Sequence, residues 1–169
     1  MIDKVLRMLL VPPGEGVLTI HTQKDKKNKL HGYLYDTEDC NKVNELWLNS
    51  INKINGSDLC LVGVCSDCGG GIHRGANWGP LFLRLAWIKS RRFLYNDDFI
   101  DLGDFPVIPH LLMDKYLNQE TIDKCRSSLY VENISDAVNN QFPVSPLSIC
   151  NYFLDRFYDL YPNKKIIAL

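Results

Sequence analysis

A run of six residues at positions 59–64, Leu-Cys-Leu-Val-Gly-Val, constrains the fold more than any other feature of this chain. Its side chains are apolar on both faces, which is typical of a strand in a parallel sheet that helices cover on both sides. Segments 99–103 and 165–169 have the same character, and helix-like segments separate the three runs. This alternation predicts an α/β domain with a mostly parallel sheet.

Four helices are predicted from apolar residues that recur every three or four positions. The first follows a cap at Asp36 or Thr37, the second begins at Pro80, the third covers residues 118–129 and the fourth begins at Pro146. Proline suits the first position of a helix because its missing N–H would have no intrahelical partner there. The apolar face of the first helix consists of Val43, Leu46, Trp47, Ile51 and Ile54.

The first 56 residues are expected to form an N-terminal extension, a hairpin plus a helix, in front of a domain that covers residues 57–169. Segments 5–11 and 17–22 flank a turn rich in proline and glycine, which predicts two strands of a hairpin. The basic run at 24–29 is interrupted by an acid and an amide, which predicts a solvated loop.

Charge and hydropathy exclude several classes of function. The formal net charge is −1, so no basic field indicates a nucleic acid partner or an anionic membrane surface. The N-terminus lacks the pattern of a signal peptide, and no apolar run is long enough to span a bilayer. A cytoplasmic location is therefore expected, in which the six cysteines would be reduced thiols.

The glycine-rich loop at 65–79 follows the first predicted strand, and ligands of open α/β sheets bind beyond the carboxyl ends of the strands. A P-loop would need Lys and then Ser or Thr where Ala76 and Asn77 stand. A dinucleotide-binding fingerprint starting at Gly69 would need glycine at the position of Arg74. Both phosphate-binding interpretations are therefore weak.

Cysteines in and before this loop suggest a metal site as an alternative. Cys60, Cys65 and Cys68 have the spacing of a plant-type iron–sulfur ligand loop. Zinc could instead use Cys65, Cys68 and His73. Against both interpretations, Cys60 lies in an apolar strand, where a buried cysteine acts as a small hydrophobic residue, and a second C-x-x-C pair is missing.

A longer pattern runs through the loop and the strand after it. The stretch from Gly63 to Arg84 follows the form G-x-P-x-D-x-G-x-x-x-R-x-G-A-R-x-G-P-x-x-[IL]-R, except that Cys65 and Asn77 replace its proline and second arginine and that Arg74 directly precedes Gly75. A second segment, D-x-G-D, follows in the next strand. The matching positions are Gly63, Asp67, Gly69, Arg74, Gly75, Gly79, Pro80, Arg84, Asp101, Gly103 and Asp104.

In these segments the chain resembles the N-terminal half of the ureohydrolases, the family of arginases, agmatinases and formimidoylglutamases. The resemblance implies a three-layer α/β/α, arginase-like fold. It also implies metal-dependent hydrolysis of a guanidino or formimino C–N bond, with release of urea or formamide. In that reaction a water that bridges two Mn²⁺ ions acts as the nucleophile, and the complete protein is expected to be a homo-oligomer.

The family's metal ligands come from three motifs, Gly-Gly-Asp-His, Asp-x-His-x-Asp and Asp-x-Asp-x-x-Asp, and none of them occurs in this sequence. No catalytic or metal-binding residue is therefore assigned to this chain. We expect the chain to stop before the first of these motifs and to be inactive alone. A non-catalytic remnant or interaction module of the same fold is the alternative.

Asp67 and His73 are candidates for contact with a substrate, although loop hydrogen bonding is the more common role of such residues. The other matching positions are expected to be structural. Asp98, Asp101 and Asp104 could suggest a carboxylate cluster. On a regular strand, however, Asp101 would point to the face opposite that of the other two, which argues against a cluster. Asp104 is expected to accept backbone N–H groups at a turn. Arg84, Arg91 and Arg92 are expected toward the far end of their helix, where cations favour the helix dipole.

Overall fold

A parallel three-stranded sheet with helices around it forms the centre of the computed structural model, which describes residues 1–18, 23–69, 72, 74–90 and 99–169. The helices are α1 (Lys4–Met8), α2 (Lys24–Tyr35), α3 (Cys40–Ile51), α4 (Gly79–Ser90), α5 (Gln119–Leu129), α6 (Ile134–Asn139) and α7 (Pro146–Leu160). The strands are β1 (Leu59–Gly63), β2 (Phe99–Asp104) and β3 (Lys165–Ala168). The predicted α/β class is confirmed.

Strand β1 lies at the centre of the sheet, in the order β2-β1-β3, and both of its neighbours run parallel to it. The three apolar runs of the sequence are therefore the three strands, each within one residue of the predicted bounds. Leu59 pairs with Phe99 on one side and with Lys165 on the other, so the three strands start at the same level.

Helices cover both faces of β1 and β2. Cys60 and Val62 belong to one large core cluster that also contains residues of α1, α3 and α7, such as Trp47 and Phe153. The opposite face of β2 carries Asp101, which contacts α4. A second cluster, formed by Leu30, Leu81 and Leu85, joins α2 to α4 on that side.

The four predicted helices are present with shifted ends. Asp39, rather than Asp36 or Thr37, caps α3: its carboxylate accepts a hydrogen bond from the N–H of Lys42 at 2.9 Å. The helix ends at Ile51, so Ile54 lies in a separate turn of 3₁₀ helix, and Leu46 is exposed. Helix α4 starts one residue before Pro80, and α7 starts at Pro146 as predicted.

The predicted N-terminal hairpin is wrong. Asp3 caps α1 by accepting hydrogen bonds from the N–H groups of Val5 and Leu6, and the chain therefore turns helical where an extended strand was expected. The first predicted hairpin strand contributes only Val11, which forms an isolated antiparallel bridge with Asp104. Residues 19–22 of the second predicted strand lie outside the described residues.

The basic run at 24–29 is also not a loop, because it forms the first half of α2. The lysines lie largely on the exposed side of the helix, whereas Leu30 and His31 are fully buried. Leu30 packs against Leu81 and Leu85 of α4, and the lysine-rich sequence of the helix did not indicate this apolar contact. Within the described residues, no helix combines the length and the hydropathy needed to cross a membrane.

Candidate functional site

A buried arginine joins the two segments of the sequence pattern at the carboxyl edge of the sheet. Arg84 of α4 is fully buried and donates two hydrogen bonds to the carboxylate of Asp101, both at 2.8 Å. Its guanidinium also donates to Asp104 Oδ1 at 2.6 Å and to the carbonyl of Gly103 at 3.0 Å. We call Arg84, Asp101 and Asp104 the buried triad.

A bulge in β2 brings both aspartates to the same arginine. Leu61 pairs with Asp101, but Gly63 pairs with Asp104, so β2 has one residue more than β1 over this interval. Gly103 takes up the extra residue with a φ of +92°, a conformation that glycine adopts without strain. The expectation that Asp101 and Asp104 point to opposite faces is therefore wrong, because it assumed a regular strand.

The prediction for Arg84 is also wrong, since it does not serve the end of its helix. Its side chain points into the protein, where a guanidinium without a carboxylate partner would be very costly. Burial raises the pKa of Asp101, and the charge and hydrogen bonds of Arg84 counteract part of that effect. The bidentate geometry is that of an ionised carboxylate with a guanidinium.

The N-terminal segment completes the surroundings of Asp104. Gly14 donates its N–H to Asp104 Oδ2 at 2.7 Å, so this carboxylate accepts a backbone N–H as predicted, but from a residue 90 positions away. A Cβ on Gly16 would lie only 2.6 Å from Asp104 Cβ and 2.7 Å from Cys65 Sγ. A Cβ on Gly63 would collide with the Asp104 carboxylate. Glycine at both positions lets three backbone segments approach the same side chain.

Asp67 organises the loop between β1 and α4. Its Oδ1 accepts hydrogen bonds from the N–H groups of Gly75 at 3.0 Å and Ala76 at 3.1 Å, and Arg74 approaches its Oδ2 at 3.8 Å. Gly75 enables the first of these contacts with a φ of +119°. The backbone N–H of Asp67 donates to the carbonyl of Pro109 at 2.9 Å, which ties this loop to the segment after β2.

Several residues named in the sequence analysis cannot be placed. His73, the second candidate for substrate contact, and Asp98 lie outside the described residues, as do residues 91 and 92. Gly69, with a φ of +91°, has open space around its Cα, so its conformation is the reason for glycine there. Gly79 has neither a positive φ nor close neighbours, and nothing in the structure explains the glycine.

The described residues do not form a metal centre. No group of three or more His, Cys, Asp or Glu side chains in the described part of the chain could hold an ion. Asp67 and Asp104, the site-facing carboxylates, already accept hydrogen bonds from backbone N–H groups or from Arg84. These residues therefore do not fit the two manganese ions that the resemblance implies.

The iron–sulfur and zinc alternatives gain no support from the cysteines. Cys60 and Cys65 belong to the apolar core cluster, and burial raises the pKa of Cys60 to about 11 and that of Cys65 well above its usual value. A metal displaces the proton of each thiol that it binds, so burial makes the two thiolates more costly to form here than at exposed cysteines. Cys68 is half-buried, and the zinc alternative also needs His73.

A buried histidine near the triad was not found from the sequence. His31 of α2 is fully buried and its Nε2 lies 2.9 Å from the carbonyl of Pro13, so Nε2 carries the proton and donates it. Its Nδ1 has no hydrogen-bond partner among the described residues. Burial lowers the pKa of His31, so the ring is neutral at pH 7.

The buried triad itself had a signal that the sequence analysis missed. Arg84 lies three residues after Leu81 and one before Leu85, on the apolar face of its helix, and two aspartates stand in an otherwise apolar strand. A charged residue at a core position requires an opposite charge nearby, which would have predicted the pairing. Comparisons with protein-family models, with curated proteins and with solved structures give no match for this chain.

Proposed function

We propose that this chain forms the first strands and the first site-facing loop of a ureohydrolase, an enzyme that hydrolyses a guanidino or formimino C–N bond and releases urea or formamide. The observation that carries the proposal is the buried triad. Arg84 ends the first segment of the family pattern, and Asp101 and Asp104 begin and end the second. The two segments, read separately in the sequence, make one buried ion-pair network.

Other positions of the pattern have physical roles that support the same proposal. Gly63 has no room for a side chain beside Asp104, Gly103 forms the bulge, and Asp67 holds Gly75 and Ala76. A chance match would leave most of these positions without a structural reason. The pattern therefore behaves as one unit that shapes the carboxyl edge of the sheet.

The edge that this unit shapes is where an α/β enzyme binds its substrate. The loop after β1 and the segment after β2 meet there through the hydrogen bond between Asp67 and Pro109. The oxygens of Asp67 and Asp104 already have donors, so their role is to fix the backbone at this edge. We propose the reaction only for a protein that supplies the three metal-binding motifs together with this chain.

The gene provides the first experiment. We expect the reading frame after the codon of Leu169 to encode Gly-Gly-Asp-His, either directly or after a frameshift. A gene that encodes none of the three motifs would overturn the ureohydrolase proposal and favour the non-catalytic interaction module.

The second experiment measures activity. The 169-residue chain, purified from a host without ureohydrolases and supplied with Mn²⁺, should release no urea from arginine, agmatine or guanidinobutyrate and no formamide from formiminoglutamate. The protein that carries the three motifs should hydrolyse at least one of these substrates. Release by the shorter chain would contradict the expectation that it is inactive alone. Inactivity of the longer protein on all four substrates would contradict the proposed reaction.

A further inference from the structure

A pocket is present whose lining includes none of the residues described for the loop between β1 and α4. It is a pocket of about 410 Å³ between the end of α1, the start of α3, the segment after α1 and the turn that follows α5. Its volume falls in the range of small-molecule sites, roughly 300–1,000 Å³. Pro106, which follows β2, also lines it, so the pocket lies near the carboxyl end of that strand.

The lining of this pocket is polar and carries both signs of charge. Its charged and amide side chains are Arg7, Glu15, Asn41, Asn44, Glu132 and Asn133. Glu15 is already engaged, because its carboxylate accepts a hydrogen bond from Lys27 at 3.1 Å. Within the described part of the chain, neither Arg7 nor Glu132 forms an ion pair, and the three amide side chains make no hydrogen bond to other side chains.

The charges of Arg7 and Glu132 restrict the class of ligand that the pocket can bind. A phosphate or another dianion would meet one arginine and two carboxylates, a lining with a formal charge of −1. A polyamine would leave the charge of Arg7 without a partner and would find one carboxylate, that of Glu132, that is not already paired with a lysine. A molecule with one carboxylate and one cationic group satisfies both, since a guanidinium binds a carboxylate in a two-point geometry and Glu132 accepts N–H donors. The amide side chains supply donors and acceptors for the rest of the molecule.

We propose that this pocket binds a small zwitterion, such as an amino acid or an ω-amino acid, with its carboxylate on Arg7 and its cationic group on Glu132. Trp47 also lines the pocket, and its Nε1–H already donates a hydrogen bond to the carbonyl of Leu102 at 3.2 Å. This pocket shares no residue with the buried triad or with the Asp67 loop. The proposal therefore does not depend on the ureohydrolase assignment.

Calorimetric titration of the 169-residue chain tests the proposal with a matched series of probes. The zwitterions are ω-amino acids from glycine to 6-aminohexanoate, which vary the distance between the two charges. The controls are the alkylamine and the carboxylate of the same chain length, each with one charge only. At least one zwitterion should bind at millimolar concentration or below, and both of its single-charge analogues should bind about tenfold more weakly or worse.

Two substitutions locate the binding. Arg7→Gln and Glu132→Gln each remove one charge and should each weaken binding of that zwitterion by about tenfold or more. Lys4→Gln on the same helix and Glu120→Gln on α5 are matched controls outside the pocket and should leave binding unchanged. Because Glu132 is exposed, its variant remains informative even if Arg7→Gln fails to fold.

Three results would overturn the proposal. The first is no binding of any zwitterion in the series at millimolar concentration, and the second is equal binding of the single-charge analogues. The third is binding that neither substitution in the pocket weakens. None of them bears on urea or formamide release, so failure of this proposal and failure of the proposed function are separately visible.

Discussion

The two outer strands of the sheet have the same parallel partner and opposite surroundings. Five of the six residues of β2, from Ile100 to Asp104, are buried, and its outer side pairs with Val11 at Asp104. Strand β3 is largely exposed, and Ile167 leaves 40% of its surface in solvent. Both strands pair in parallel with β1. The comparison therefore separates the contribution of backbone pairing to stability from the contributions of side-chain packing and charge.

Strand β3 is held by backbone pairing with β1 and by one side chain, Ile166, which packs against the large core cluster. The N–H of Lys165, its first residue, donates to the carbonyl of Asp58 at 2.8 Å. The N–H of Leu169, the residue after the strand, donates to the carbonyl of Val62 at 2.9 Å. Strand β2 has in addition the buried triad, the bulge and the contact with the N-terminal segment. We therefore expect substitutions on the β2 side to be far more costly than those on β3.

The largest effect is expected for Arg84→Met. It removes the guanidinium charge from beside two buried carboxylates, which should lower the free energy of unfolding by roughly 3–5 kcal/mol. Urea denaturation followed by circular dichroism measures the change. Lys89→Met, on the exposed side of the same helix, is the control and should change the free energy by less than about 0.5 kcal/mol. Equal stability of the two variants would mean that the triad does not hold β2 in place.

Gly103→Ala should be the next most damaging. Alanine at a φ of +92° is strained, and its Cβ would collide with the carbonyl of Val11 and lie 3.1 Å from Trp47 Nε1. We expect a loss of about 1–3 kcal/mol in the same denaturation experiment. Gly32→Ala is the matched control, because Gly32 lies inside α2 with nothing within 4 Å, and it should stabilise the protein by up to about 1 kcal/mol. A loss at Gly32 that matched the loss at Gly103 would remove the role assigned to the bulge.

The next prediction concerns pH and His31, whose Nε2–H donates a hydrogen bond to the carbonyl of Pro13. Because burial lowers the pKa of His31, the unfolded chain binds a proton at a higher pH than the folded protein does. The stability that depends on neutral His31 is therefore present above the usual pKa of 6.5 and is lost as the pH falls below it. Glu15 and Asp104 nearby oppose the lowering of the pKa, whereas Lys27 adds to it.

His31→Gln keeps a donor for the carbonyl of Pro13 but cannot titrate. The wild-type protein should lose about 1 kcal/mol more than this variant between pH 7 and pH 5, when the free energies of unfolding are compared at each pH. Other groups titrate in both proteins, so the difference isolates His31. Parallel pH profiles would show that His31 has the same pKa in the folded and unfolded states, and would contradict the lowering of its pKa by burial.

The smallest effect is expected on β3. Ile167→Thr should lower the free energy of unfolding by less than about 0.5 kcal/mol, because the side chain is already 40% exposed and the new hydroxyl can bond water. Ile100→Thr is the counterpart on β2, where the hydroxyl would be buried, and should cost about 1–3 kcal/mol. Equal losses at the two positions would show that the two edges do not differ in the way described.

The same contrast explains which parts of the fold the sequence could predict. All three strands were predicted because each is a short apolar run between helical segments. This local pattern is the same for β2, which is buried, and for β3, which is largely exposed. Helix α1 was not, because it has only five residues and its main signal is the cap at Asp3. The bulge was missed because a glycine in a strand does not show which way the next side chain turns.

The candidate site was predicted in part for a related reason. The pattern located the loop and both aspartates of the triad, since these are consecutive stretches of sequence. Asp104 pairs with Arg84, which lies 20 positions before it, and accepts a hydrogen bond from Gly14, which lies 90 positions before it. Such contacts depend on the register between elements, which one sequence without the fold does not determine. For His31 no neighbouring residue in the sequence indicated burial.

The hydrogen bond from Gly14 to Asp104 has a consequence for the order of folding. It closes a loop of 90 residues, and the entropic cost of closing a loop grows with its length. Arg84 positions the Asp104 carboxylate that accepts this hydrogen bond, so we expect the contact to form after β1, α4 and β2 have come together. Residues 11–16 should therefore be among the last parts of the chain to acquire native structure, and a mutation there should speed unfolding more than it slows folding.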